Sequence, residues 1–187
     1  MKILIIDNGT SFLIKLKNLF KGHDISVSPF NLVTVTEAKK FDLIVLSGGH
    51  KYPVINHAKQ FKAELDIINK ARKPILGICL GFELIAFNYK CKLKRLKEKE
   101  KGVISINLIK DLITKKLDSI NVYESHRWAI QDPGKNLIAL GKSKDGIEIV
   151  KHRTKHIYGF QFHPEIVKDK SKGKQLFSNF LSVIMKK

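Results

Sequence analysis

Cys79 is the residue with the most evident chemistry. It stands between two glycines in Gly77-Ile78-Cys79-Leu80-Gly81. The residues before it, 74–78, form an apolar run suited to a buried strand. Those after it, 82–87, have the make-up of a helix. Strand, tight turn and helix with a nucleophile in the turn is the layout of a nucleophile elbow. The flanking glycines suit the close backbone approach that such a turn forces. A thiol there sits at a helix N-terminus, where the dipole favours the thiolate. The same residues also fit a cysteine buried in the core behind a strand, since Cys is among the most buried residue types.

A cysteine nucleophile needs a base within hydrogen-bond reach and a third group to orient that base. Of the seven histidines, His163 stands out in Gly159-Phe160-Gln161-Phe162-His163-Pro164-Glu165. Residues 156–162 read as a strand that ends at His163, and Pro164 stops it. Glu165 can turn back to hold the imidazole. Cys79 and His163 lie far apart in the chain, so only the fold can join them. A satisfied histidine at a strand end is the plain alternative.

The elements that must position these groups follow from hydropathy. Residues 2–6 are a continuous apolar run, as in a strand buried on both faces. Phe12, Leu13, Leu16, Leu19 and Phe20 have helical spacing, and Lys21-Gly22 stops that helix. Residues 24–28 and 41–46 read as strands, 36–40 as a short helix and 58–70 as a long one. Strands alternating with amphipathic helices argue for a parallel sheet covered on both faces. In such sheets the chemistry gathers at the carboxyl ends of the strands. Three glycine-bearing turns fall there: Gly9, Gly48-Gly49 and Gly77 to Gly81.

The character changes after Lys90. Residues 90–101 hold seven Lys/Arg and two Glu. They read as an exposed hairpin or edge strand whose lysines discourage strand addition, or as a docking surface for an acidic partner. Residues 103–109, 120–123, 137–140 and 147–150 read as further strands, and 172–185 as an amphipathic helix. No linker, repeat or low-complexity tract divides the chain, so residues 1–187 read as one domain.

Composition bounds the function. The chain has 187 residues, 43% of them hydrophobic, and a net charge of +18. The charge is mostly scattered lysine, without an aromatic-interleaved basic motif, which argues against a dedicated nucleic-acid binder. No stretch approaches the roughly 20 apolar residues of a membrane span, and a cytoplasmic protein is expected. The two cysteines, Cys79 and Cys91, have unlike surroundings. No Cys/His cluster has zinc spacing, and no metal site is expected.

Gly77-Ile78-Cys79-Leu80-Gly81, Phe160-Gln161-Phe162-His163-Pro164-Glu165 and Ser47-Gly48-Gly49 together resemble the class I (triad-type) glutamine amidotransferases, over about residues 2 to 184. The resemblance implies a flavodoxin-like α/β fold. Its sheet would be open and mostly parallel, flanked by helices on both faces, with additional antiparallel strands in the C-terminal half. It implies Cys79 as nucleophile on the side-chain amide carbon of glutamine, His163 as base and then acid, and Glu165 as the group that orients His163. The N–H groups of Leu80 and Gly49 would form the oxyanion hole. Gly48, Gly81, Glu83, Ser125 and His126 would contact substrate.

Two positions depart from the family pattern. His50 stands where proline commonly follows the double glycine. Glu83 stands where glutamine commonly helps to hold the substrate, and a carboxylate there cannot donate unless protonated. The length, the C-terminal helix, residues 149–152 and 157–165, and Ser125-His126 after a strand are similar to the stand-alone glutaminase subunit of archaeal-type GMP synthase. Arg127-Trp128 departs from the acidic residue usual in that subfamily. The resemblance implies ammonia transfer to a separate ATP-pyrophosphatase subunit that holds ATP and Mg, with no cofactor in this chain. The glutaminase of anthranilate or aminodeoxychorismate synthase, a self-sufficient γ-glutamyl hydrolase, and a non-catalytic regulatory subunit with this fold stay as alternatives.

Overall fold

The computed structural model describes residues 1–166 and 172–185. In chain order the elements are β1 (Lys2–Asp7), α1 (Leu13–Leu19), β2 (Asp24–Pro29), α2 (Val35–Ala38), β3 (Leu43–Leu46), α3 (Val54–His57), a 3-10 turn (Ala58–Phe61), α4 (Lys62–Lys70), β4 (Ile75–Ile78) and α5 (Leu80–Asn88). Then follow β5 (Lys92–Leu108), β6 (Ser119–Asp132), β7 (Leu137–Lys142), β8 (Ile147–His152), β9 (Ile157–Phe160) and α6 (Gly173–Met185).

The described strands form one sheet in the order β2-β1-β3-β4-β9-β8-β6-β5-β7. Strands β2, β1, β3, β4 and β9 are mutually parallel. The β9–β8, β8–β6, β6–β5, β5–β7 and β7–β8 pairings are antiparallel. The sheet is therefore mixed: parallel through its first half, and antiparallel over the long second-half strands rather than merely supplemented by them.

Alternation in β1 divides the core. Ile3 and Ile5 face one side, with Leu16 of α1 and Leu176, Phe177 and Phe180 of α6. Leu4 and Ile6 face the other, with Ala38 of α2, Ile67 and Ile68 of α4, and Phe82 and Ile85 of α5. α5 is apolar nearly all round, and every residue from Leu80 to Ala86 is buried. Such a helix has no solvent face; it lies against the sheet beneath α3 and α4. It approaches β9 closely because Gly159 has no side chain: a Cβ there would stand 2.7 Å from Phe82 Cδ2.

Two segments differ from expectation. Residues 90–101 and 103–109 contribute to one strand, β5, because β6 pairs along most of it. β6 in turn runs to Asp132, so Ser125 and His126 lie inside a strand rather than after one. The strand before His163 ends at Phe160, and His163 is reached by a short turn. Among the described residues no helix is long and apolar enough to cross a membrane.

Candidate active site

Cys79 occupies the turn between β4 and α5 with φ 51 and ψ −104. This is a sparsely populated backbone region for a residue with a Cβ, of the kind stored at functional sites. The turn closes because Gly77 and Gly81 face each other, and a Cβ on Gly77 would overlap the Gly81 carbonyl. Gly81 also packs on β3: its N–H donates to Ser47 O at 3.2 Å, and a Cβ there would overlap Leu46 O. The missing Cβ at Gly81 therefore serves the packing of the elbow.

His163 sits at the carboxyl end of β9, beside that of β4. Its backbone N–H donates to Tyr123 O at 2.9 Å. The ring Nδ1 lies 2.9 Å from Glu165 Oε1, and both side chains are buried. A carboxylate can only accept, so Nδ1 carries the proton and Nε2 is left as the basic atom. Phe12 packs edge-on against the imidazole at 5.0 Å between centroids, and Tyr123 lies at 6.3 Å. Gly48 lies between base and thiol. A Cβ on it would stand 3.1 Å from His163 Cε1 and 3.5 Å from Cys79 Cβ.

The thiol's own hydrogen-bond contact runs to Ser125 O, at 3.9 Å. Burial pushes the Cys79 thiol up, the Glu83, Glu124 and Glu165 carboxyls push the same way, and the Leu80 N–H draws it down. The expected thiolate preference of a helix N-terminus is thus outweighed by desolvation, and the resting group is a thiol that needs a base. The Leu80 N–H points at the sulfur. Gly49 stands beside it, since a Cβ there would be 2.8 Å from Leu80 Cδ2 and would overlap Asn8 O.

Two cavities meet at Cys79. One, of about 450 Å³, is lined by Cys79, Glu83, Ser125, His126, Arg95 and Trp128 among others. The second, of about 300 Å³, adds His163, Thr10 and Phe12. Gly49, His50, Cys79, Lys99 and Ser125 border both. Glu83 is buried, and burial raises its carboxyl to about 7, with His126 and Gln161 opposing. Near neutrality it is partly protonated and can donate as an amide would. His126 lines the larger cavity, but its ring is turned inward. Nδ1 meets Trp128 O at 2.8 Å and Nε2 lies 3.2 Å from Glu124 Oε2.

Sequence reasoning missed the support beneath these groups. Asn8 N–H donates to Ser47 Oγ at 2.9 Å, and its amide donates to Ser47 O and Glu64 Oε1. This buried network ties the β1 turn and α4 to the double-glycine turn. Glu124, His126 and Glu148 form a second buried group, the one cluster among the described residues with metal-ligand geometry. An acid inside an otherwise apolar strand, such as Glu148 in Ile147-Glu148-Ile149-Val150, was the signal available.

Residues 4–183 match the family model described as glutamine amidotransferase class-I. The glutamine-hydrolyzing subunit of GMP synthase from Saccharolobus solfataricus is 35% identical over 175 residues, covering 91% of this chain and 92% of that protein. The protein of the same name from Methanocaldococcus jannaschii is 32% identical over 188 residues, covering 97% and 96%. A crystal structure of a Thermoplasma acidophilum protein superposes with a TM-score of 0.87 at 26% identity, covering 99% of this chain and 94% of that one. A glutamine amidotransferase of Thermotoga maritima shares the fold, with a TM-score of 0.79 at 17% identity and coverage of 100% and 99%.

Proposed function

The chain belongs to the class I glutamine amidotransferases, and from that membership we propose that it is the glutaminase subunit of a two-subunit GMP synthase. It hydrolyses L-glutamine to glutamate and ammonia. The ammonia passes to a separate ATP-pyrophosphatase subunit that converts XMP to GMP. ATP and Mg act on that partner, and the hydrolysis needs no cofactor in this chain. The names carried by its relatives support the pathway.

The observation that carries the chemistry is the convergence on one cavity of a cysteine in a strained turn and a histidine oriented by a buried carboxyl. The thiol turns from Ser125 O toward His163, and His163 Nε2 takes its proton as Sγ attacks the amide carbon. Glu165 balances the imidazolium. The developing oxyanion lies against the N–H groups of Leu80 and Gly49. His163 then protonates the leaving nitrogen, the C–N bond breaks, and ammonia departs from a thioester on Cys79. Water, deprotonated by His163, attacks the thioester; the C–S bond breaks and glutamate leaves. Glu83, in its protonated form, donates toward the substrate from one helical turn beyond Cys79.

The test is reconstitution. Glutamine hydrolysis by the purified chain should be slow, and should rise when the ATP-pyrophosphatase subunit, ATP and XMP are added together. Stimulation by a chorismate-using synthase instead, or full activity alone, would replace the pathway. Absence of hydrolysis under every condition would leave only a binding role.

A further inference from the structure

We propose that Glu124, His126 and Glu148 bind one divalent transition-metal cation behind the wall of the larger cavity. Glu124 and His126 are two apart on β6, so their side chains share a face. Glu148 comes from β8, the neighbouring strand. All three are buried, and their ligand atoms lie within 4.8 Å of one another. The His126 Nε2 to Glu124 Oε2 distance of 3.2 Å matches adjacent donors on one ion, which stand roughly 3 to 3.5 Å apart when each bond is near 2.1 Å.

Unmet donor capacity points to a ligand. Glu124 Oε1 and Oε2, Glu148 Oε2 and His126 Nε2 are all enclosed, and their nearest polar neighbours are one another rather than any group outside the cluster. Their other atoms are already committed. His126 Nδ1–H donates to the Trp128 carbonyl and Nε2 faces Glu124; an ion would take the Nε2 lone pair of the neutral tautomer, the orientation of a metal-bound histidine. Ser143 Oγ holds Glu148 Oε1 at 2.5 Å and leaves Oε2 to face the cluster. Three acceptors aimed at one another need protons or a cation between them.

One nitrogen and two carboxylate donors suit Zn²⁺, Mn²⁺, Fe²⁺ or Co²⁺ better than Ca²⁺ or Mg²⁺. His126 borders the cavity with its ring turned inward, so the cluster lies directly behind the cavity wall. The ion would pin β6 to β8 and so hold Ser125, the residue whose carbonyl meets the thiol. It takes no part in the steps of glutamine hydrolysis.

The experiment measures metal uptake, so it does not depend on the glutaminase reading. Untagged full-length Cys79→Ala protein, stripped with EDTA, is dialysed against Co²⁺ or Zn²⁺ and analysed for metal. One equivalent per chain should remain, and the Co²⁺ spectrum should lack thiolate charge transfer. Glu124→Gln in the same background should weaken uptake by at least about tenfold, with circular dichroism verifying its fold. Glu148→Gln replaces it if it does not fold. Melting of the unaltered protein is the second readout: Co²⁺ should raise the midpoint and EDTA should return it. Absence of uptake and of a midpoint shift overturns the proposal. So does uptake that survives Glu124→Gln, or a spectrum of thiolate ligation.

Discussion

Cys79 and Glu83 lie one helical turn apart at the start of α5, and burial raises both acids. The consequences differ. For Cys79 the rise leaves a thiol, which on the proposed mechanism depends on His163 as its base. Cys79→Ala should lower glutamine turnover by at least about 1,000-fold with an unchanged circular dichroism spectrum; turnover near that of the native protein would remove the nucleophile assignment. For Glu83, on its proposed role as a substrate contact, the rise to about 7 should make glutamine binding depend on pH. The protonated form dominates below that value and donates; the carboxylate dominates above it and cannot. In chelator-treated protein, KM for glutamine should therefore climb between about pH 6 and pH 8, while Glu83→Gln should flatten the profile. A flat profile in the native protein would place Glu83 away from the substrate.

At the scale of elements, the elbow depends on missing side chains. Gly81→Ala would drive a Cβ into the β3 carbonyl of Leu46. It should cost more than about 2 kcal/mol in urea unfolding, opposite in sign to the gain of about 1 kcal/mol that Gly→Ala usually brings in a helix. The β1 turn, β3 and α4 are joined through Asn8, Ser47 and Glu64. Burial raises Glu64 to about 8, while an exposed glutamate ionises near 4.5. Between those values the folded protein keeps a proton that the unfolded chain has released. Stability therefore falls as pH rises through this window. Glu64→Gln, which keeps the acceptor for Asn8, should leave the urea midpoint unchanged near about pH 4 and raise it near about pH 8. These links were not legible in the sequence, because Asn8 and Glu64 read as an ordinary turn residue and an ordinary helix acid. Only the stacking of α4 under the strand ends makes them buried.

Across the whole molecule, the +18 charge has a visible concentration. The first part of β5 carries exposed Lys92, Lys94, Lys97 and Lys99 along an edge that no other described strand pairs, and Arg95 and Lys99 reach the mouth of the larger cavity. Lysines at an edge deter strand addition, and beside an active-site mouth they also attract an acidic partner. The double variant Lys94→Glu, Lys97→Glu should slow association with the proposed synthetase subunit by about tenfold at low salt, a difference that should shrink near about 0.5 M salt. Stopped-flow association kinetics would register it, and equal rates at all salt concentrations would assign the lysines to solubility alone. The sequence by itself determined the parallel half of the sheet, and it offered the elbow at Cys79 and the pairing of His163 with Glu165 as readings that the family resemblance selected. Each of these is written in local patterns: apolar runs, flanking glycines, and an acid two residues from its histidine. The tertiary structure decided the rest. It joined β5 and β6 into long antiparallel strands, turned the His126 ring inward, enclosed Glu64, Glu83, Glu124 and Glu148, and raised the thiol above its dipole-favoured state. Burial is a property of what packs above a residue, and desolvation, which sets the protonation of these groups, follows from burial rather than from neighbours in the chain.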